Sequence, residues 1–385
     1  MATSFKKKAN SKLSQPRGTR PSLHYAQALI STGVPSLDVL LGGGLPVGSV
    51  MLVEEDTFGQ YSRMLLKYFL AEGVTCGHSL FVASASEEPS GILKDLPAAA
   101  AEGDDDTPLP PTINEEEESS GTTEPLQIAW RYQSLPKVQS SFSSRFGHNF
   151  DLTRRMEQSR LDMVHKVQFD AAQHPSSSSG VLYRELKNSI QETISKGLFS
   201  LDEAAASQQA NVLRVAIESI GSALWLEEGG GVTAEGSIAT ALPRFLHSLR
   251  GTCRASYAVA MVTVPVHLFQ DIAYTRRLER LCDGVVRLES FAGSDKERSP
   301  LYKEYHGLFH LVKLPKLNSL TCHLPDTLSL AFKLKRKKFT IEKLHLPPDL
   351  SGTANRVQQD GCHQANPRNS HPNDISSNPK HGVDF

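Results

Sequence analysis

Residues 31–56 read STGVPSLDVLLGGGLPVGSVMLVEED, in which a glycine-rich turn at Gly42, Gly43 and Gly44 delivers the chain into an apolar strand at 49–53. In a phosphate-binding ATPase core such a strand runs into G-x-x-x-x-G-K followed by Ser or Thr, whose backbone amides and lysine neutralise triphosphate charge. Here it runs instead into Glu54, Glu55, Asp56, Thr57, Phe58, Gly59, Gln60, Tyr61 and Ser62. Three successive carboxylates at the mouth of a helix repel a triphosphate, although a helix N-terminus by itself favours anions. Depending on the register chosen, Tyr61 or Ser62 stands where the lysine belongs. Lys67, the nearest lysine, lies more than a turn into the helix. The stretch supplies the frame of a nucleotide site, centred on Glu55, Asp56, Gly59, Tyr61 and Ser62, and omits the phosphate grip, which argues against the usual ATPase chemistry.

The 385 residues carry 41 Lys and Arg against 42 Asp and Glu, so no global positive field recruits nucleic acid and any such contact needs a local patch. Cys76, Cys253, Cys282, Cys322 and Cys362 show neither a C-x-x-C pair nor the Cys/His spacing of zinc sites, and read as reduced thiols. No apolar run approaches the roughly 18 residues of a membrane span, and the first residues lack the apolar segment of a signal peptide. A cytoplasmic protein without membrane contact is expected, with a nuclear pool allowed. Residues 1–22 are basic and polar and are expected to form a disordered arm, and 351–385 a disordered tail. Within the domain at 23–350, the acidic stretch at 98–124 reads as a solvated insertion and HPSSSSG at 174–180 as a linker.

Between these breaks, apolar runs at 50–53, 80–83, 126–132, 212–217, 257–264 and 284–288 alternate with helical periodicity. Met64, Leu65, Phe69 and Leu70 mark one helix, with Gly73 as its C-terminal cap. Leu182, Leu186, Ile190 and Ile194 recur every fourth residue along another, and a third starts near Pro243 and buries Phe245, Leu246 and Leu249. Near-continuous apolar strands between amphipathic helices predict an α/β fold, a mostly parallel twisted sheet with helices on both faces. Residues 308–314 and 328–344 add antiparallel strands at one edge.

With these elements in place, LDVLLGGGLPVGSV at 37–50 closely resembles the opening of RecA-like ATPases of the RadA and KaiC type. SLFVASASEEPSGIL at 79–93 is similar to that family's second strand followed by its glutamate pair, here Glu87 and Glu88. NVLRVAIESIGSALW at 211–225 is similar to its Walker B strand, with Glu218 where the metal-binding aspartate is expected. IAWRYQSLPK at 128–137, SSRFGHNFDLTRRM at 143–156 and FKLKRKKFTIEKLHLPPDL at 332–350 narrow the likeness. From about residue 18 to 350 the chain resembles the fourth-subunit family of the Elongator complex, a RecA-like fold without the P-loop. That resemblance implies a non-catalytic subunit in a hetero-hexameric ring with the fifth and sixth subunits, binding tRNA and supporting carboxymethyl-type modification of the wobble uridine. It places the iron-sulfur cluster, S-adenosylmethionine and acetyl-CoA of that chemistry in another subunit, and assigns this chain no cofactor or metal.

Two other readings stand beside it, an active RecA or KaiC-type ATPase in recombination or signalling, and a purely structural scaffold. Glu87 and Glu88 suit activation of a water on a neighbour's nucleotide, or a solvated helix cap before Pro89. Glu218 suits a magnesium ligand or a structural carboxylate. For tRNA or partner contact, Lys333, Lys335, Arg336, Lys337 and Lys338 alternate with Phe332, Leu334 and Phe339, so that one face packs while the other meets phosphates; lysines also protect an edge strand. Arg145, Phe146 and His148, with Arg154 and Arg155 close behind, combine guanidinium and aromatic groups that suit single-stranded RNA or a subunit interface. Arg131 and Tyr132, at a strand end, carry the same two readings.

Overall fold

The computed structural model describes residues 15–22, 27–100, 146–174, 179–202, 211–225, 234–317 and 325–345. Its strands are β1 (Thr19–Pro21), β2 (Ala28–Ile30), β3 (Leu45–Pro46), β4 (Val50–Glu54), β5 (Ser79–Ser84), β6 (Pro97–Ala99), β7 (Phe150–Arg155), β8 (Lys166–Asp170), β9 (Leu213–Ile217), β10 (Ala258–Val264), β11 (Gly284–Ser290), β12 (Gly307–Lys313), β13 (Leu330–Leu334) and β14 (Phe339–Lys343). Among the described residues, nine of them form one sheet in the order β14-β13-β12-β11-β4-β10-β9-β5-β8, while β1-β2-β3 and β6-β7 make small separate sheets. From β11 to β8 every neighbouring pair is parallel, and β12, β13 and β14 continue the β11 edge antiparallel. This is the mostly parallel RecA-like α/β architecture, with its antiparallel edge, that the alternating pattern predicts.

Among the described residues, the α-helices of five or more residues are α1 (Pro35–Leu40), α2 (Gln60–Cys76), α3 (Pro89–Lys94), α4 (Gln158–Asp162), α5 (Ser179–Lys196), α6 (Ala234–Arg254) and α7 (Ile272–Leu281). β4 shows why they cover both faces. All of its residues are buried. Successive side chains of a strand point to opposite faces, and Val50 and Leu52 join the apolar cluster of Leu186 and Leu246, from α5 and α6. Met51 and Val53 join that of Leu65 and Phe69 on α2. Burying each such side chain contributes about 1.5–3 kcal/mol, so β4 is fixed from above and below, and the chain that leaves it emerges at a constant point beside α2.

Several boundaries differ from those read in the sequence, each for a packing reason. α2 runs past Gly73 to Cys76, and Gly77, at φ 74°, is the left-handed cap. Gly73 instead answers a close approach: a Cβ there would lie 2.7 Å from Cδ of Arg214 and 2.7 Å from Cδ2 of Leu80. α6 starts at Ala234 with Pro243 inside it, held by the buried Leu242, Phe245, Leu246 and Leu249. The expected arm at 1–22 is corrected at its end, where Thr19–Pro21 pair with Ala28–Ile30. Ala98 and Ala99, read as the start of the insertion, pair with β7. Within the expected linker, His174 stacks on Phe169 with ring centroids 4.4 Å apart and α5 begins at Ser179. Residues 328–344 hold two strands, β13 and β14, closed by a turn in which the Lys335 N–H donates to the Lys338 carbonyl at 2.9 Å. β7 and β8 were not anticipated. The expected strand at 126–132 and the tail at 351–385 lie outside the described residues.

Candidate functional site

Asp56 organises the start of α2. Its carboxylate accepts the N–H groups of Gln60 at 3.1 Å, Tyr61 at 3.1 Å and Ser62 at 3.0 Å. These amides have no partner inside the helix and are the donors that a P-loop turns toward phosphate. Gly59 makes the geometry possible at φ 66°, a left-handed conformation suited to glycine, which folds the loop back so that Asp56 meets the helix end. Ser62 is buried and donates its hydroxyl to the Gly59 carbonyl at 3.1 Å. Tyr61, the other candidate for the lysine slot, packs against Phe332 with ring centroids 4.7 Å apart, and more loosely against Phe339 and His306. That position therefore buttresses the β13–β14 hairpin. Lys67 pairs with Asp95 at 3.5 Å.

The other carboxylates of the acidic run have separate tasks. Glu54 is buried and bonded to Arg287, which ties β4 to β11; burial pushes its acidity down while Arg287 opposes the shift. Glu55 accepts the Thr263 hydroxyl at 2.6 Å and the Ser219 hydroxyl at 3.3 Å. Burial outweighs these bonds and pushes its pKa up to about 7. Ser219 itself sits at φ 48°, an uncommon conformation for serine, in the turn after β9.

Arg63 occupies the centre of the cleft. Its guanidinium contacts Glu218 at 2.5 Å and Glu87 at 2.6 Å. Glu218 also accepts the hydroxyls of Ser84 at 2.7 Å and Ser86 at 2.9 Å. Burial alone would raise the Glu218 pKa, but the bonds from Arg63 and Ser84 and the Arg63 charge hold it below the usual carboxylate range. At the strand end where a Walker site would hold a metal ion, the carboxylate holds an internal cation. Glu88 stands at the N-cap position of α3 with no side-chain capping bond, and it is exposed and apart from Arg63. The remaining space, about 380 Å³, is lined by Glu55, Gly59, Ser62, Arg63, Glu218 and Thr263, with the exposed Phe58 and Leu268 at its rim.

On the other side of Arg63 lies a larger cleft of about 590 Å³, lined by Gln60, Arg63, Lys67, Arg154, Arg155, Lys335 and Arg336 with Asp95 as its carboxylate. The Leu152 N–H donates to the Lys337 carbonyl at 2.8 Å, which draws β7 against the hairpin turn and sets Arg154 and Arg155 beside Lys335 and Arg336. Arg155 pairs with Asp95 at 2.9 Å. Lys337 is exposed at the same turn, and Lys338 closes it through its carbonyl. Lys333 is held elsewhere, by Glu304 at 2.9 Å and Glu342 at 3.2 Å over the Tyr305 ring. The alternation seen in the sequence is thus interrupted by a turn, and only part of the basic run faces one cleft. Phe146 is covered by the Arg20 guanidinium, 4.1 Å from its ring centroid, and His148 is bonded to Glu72; neither joins the basic cleft. Arg131, Tyr132 and Arg145 lie outside the described residues.

Arg63 was missed in the sequence, although a cation in the first turn of a helix opposes the helix dipole and so signals an anion close by. Thr263 and Arg287 carry no local signal, because their partners come from strands more than 200 residues away.

A family model described as PAXNEB protein matches residues 12–384. The chain is 46% identical over 374 residues to Elongator complex protein 4 of Danio rerio, covering 93% of this chain and 91% of the relative. It is 44% identical over 357 residues to Elongator complex protein 4 of Homo sapiens (88% and 81% covered) and 25% identical over 411 residues to that of Saccharomyces cerevisiae (94% and 81% covered). The chain belongs to the PAXNEB family. Membership runs through both the altered nucleotide site and the basic hairpin, since the matched span contains Asp56, Arg63, Glu218 and the whole run from Lys333 to Lys338.

Proposed function

We propose that this chain is a RecA-like subunit of the Elongator complex that performs no ATP chemistry of its own and acts through assembly and RNA contact. The observation that carries this reading is the Asp56 carboxylate on the first N–H groups of α2, where a nucleotide phosphate would otherwise bind. Arg63 on Glu218 adds to it, since a fixed guanidinium removes both the charge and the space that a magnesium ion would use. The family relatives, each named Elongator complex protein 4, support the choice of assembly. In this reading the chain joins the fifth and sixth subunits in a hetero-hexameric ring that binds tRNA and supports wobble-uridine modification, mainly in the cytoplasm. The iron-sulfur, S-adenosylmethionine and acetyl-CoA chemistry belongs to another subunit. Within this chain, Arg154, Lys335 and Arg336 supply the RNA-facing cations, because they share one open cleft and Asp95 is its only lining carboxylate among the described residues.

The test has two parts. Isolated chain with ATP and magnesium shows no heat of binding and no phosphate release; turnover that disappears in Glu218→Gln would establish an active ATPase instead. In the assembled complex, Lys335→Glu with Arg336→Glu weakens tRNA binding and makes the slope of log affinity against log salt shallower by about 2, one for each lost phosphate contact. An unchanged slope assigns the cleft to scaffolding.

A further inference from the structure

Away from both clefts, Glu72, Cys76 and His148 bring a carboxylate, a thiol and an imidazole together, with their ligand atoms all within 4.8 Å of one another. Glu72 and Cys76 lie four residues apart on α2 and so share one face, while His148 arrives from the segment before β7. Oε1 of Glu72 accepts from Cys76 Sγ at 3.3 Å, and His148 Nδ1 lies 3.1 Å from Oε1 and 3.2 Å from Oε2 of the same carboxylate. The second oxygen is fixed by the His148 backbone N–H at 3.0 Å, so the carboxylate is already oriented. We propose that these three side chains form a zinc site, with water or a partner's donor completing a tetrahedron.

The geometry needs little change. With bonds of about 2.0–2.3 Å, a tetrahedral zinc shell places O, N and S ligand atoms about 3.4–3.6 Å apart; the two contacts to Glu72 are a few tenths of an ångström shorter, and Cys76 Sγ and His148 Nδ1 lie within 4.8 Å of each other. Binding displaces the Cys76 thiol proton to solvent; an imidazolium His148 also loses its Nδ1 proton, whereas a neutral His148 binds through Nδ1 as its Nε2–H tautomer, and no electron is transferred. The Glu72 side chain is 2% exposed and that of His148 48%, so the cluster runs from a buried carboxylate to the surface. The buried Arg214 guanidinium opposes a cation here, and its own charge partners are Glu72, Cys76 and Asp38.

Full-length protein, stripped with a chelator and titrated with zinc against a chromophoric competitor, binds one equivalent. Cobalt in the same site gives a tetrahedral visible spectrum and a sulfur-to-metal charge-transfer band. Cys76→Ser abolishes that band, and both Cys76→Ser and His148→Ala weaken zinc binding at least a hundredfold while leaving far-ultraviolet circular dichroism unchanged. Absence of stoichiometric zinc binding overturns the proposal, as does a wild-type cobalt spectrum without the sulfur band, a result that does not depend on any variant folding.

Discussion

Replacing Asp56 by alanine isolates the feature on which the reading of the nucleotide cleft rests. Removing a helix N-cap acceptor costs about 0.5–2 kcal/mol, and a charge-assisted hydrogen bond contributes about 1.5–3 kcal/mol. Asp56 is 1% exposed and accepts from three amides, so water cannot readily replace it. The expected loss is therefore near the top of these ranges, about 3 kcal/mol. At about 2 °C per kcal/mol for a chain of this length, the melting temperature falls by about 6 °C. The distinguishing measurement is rescue. If the vacated amides again form an anion site, sulfate at ten times its dissociation constant restores about 1.4 kcal/mol to Asp56→Ala. Chloride at equal ionic strength does not, and wild type, whose amides are taken, gains nothing specific. Urea denaturation with and without sulfate reads both quantities. A variant within about 0.5 kcal/mol of wild type, or an equal sulfate response in the two proteins, refutes the assignment of Asp56 to the phosphate position.

Two further substitutions probe the same cleft. The folded pKa of Glu55, about 7, lies above its ordinary value of 4.5, so the fold prefers the protonated form. The stability tied to that preference is present below 4.5 and is lost as pH rises through about 7. Glu55→Gln, which keeps an acceptor for Thr263, should therefore stabilise the protein at pH 8 by up to about 3 kcal/mol and flatten the stability profile between pH 5 and 7; equal stability of the two proteins at pH 8 removes the argument. Arg63→Met leaves Glu218 with only its serine partners, and, since Arg63 is partly exposed, destabilises by about 2 kcal/mol at pH 8. At pH 5 the loss shrinks because the orphaned carboxyl can take a proton, so a pH-independent loss in chemical denaturation would point to packing instead.

Much of the fold was legible because burial on both faces leaves a strong mark: VMLVE, SLFVAS and AVAMVTV are nearly unbroken apolar runs and became β4, β5 and β10. β8 was not, because KVQFD is an edge strand with only Phe169 buried and so carries no apolar run. In FDLTRR the exposed arginines suit RNA or a subunit interface and give no strand signal; what makes it a strand is pairing with Pro97–Ala99 and the hairpin turn, contacts that no local pattern encodes. At the site, the absence of the P-loop lysine was plain in the sequence. The roles of the three acids that follow were not. Glu54, Glu55 and Asp56 look alike as a run, yet one ties two strands, one is poised to titrate near neutrality and one caps a helix, because successive positions along a turning chain face different neighbours. Likewise Lys333 and Lys335, two residues apart, were separated by the hairpin geometry into an internal ion pair and an open cleft.

The link between Asp56 and α2 has one more consequence. A group held on the same loop, only a few bonds from the amides it fills, acts as an intramolecular competitor whose effective concentration is on the order of millimolar or above. It cannot be diluted, exported or hydrolysed. Under the function proposed here, whatever this subunit contributes to its assembly stays constant as cellular ATP and ADP rise and fall, and any response to energy supply has to enter through neighbours whose sites are still vacant.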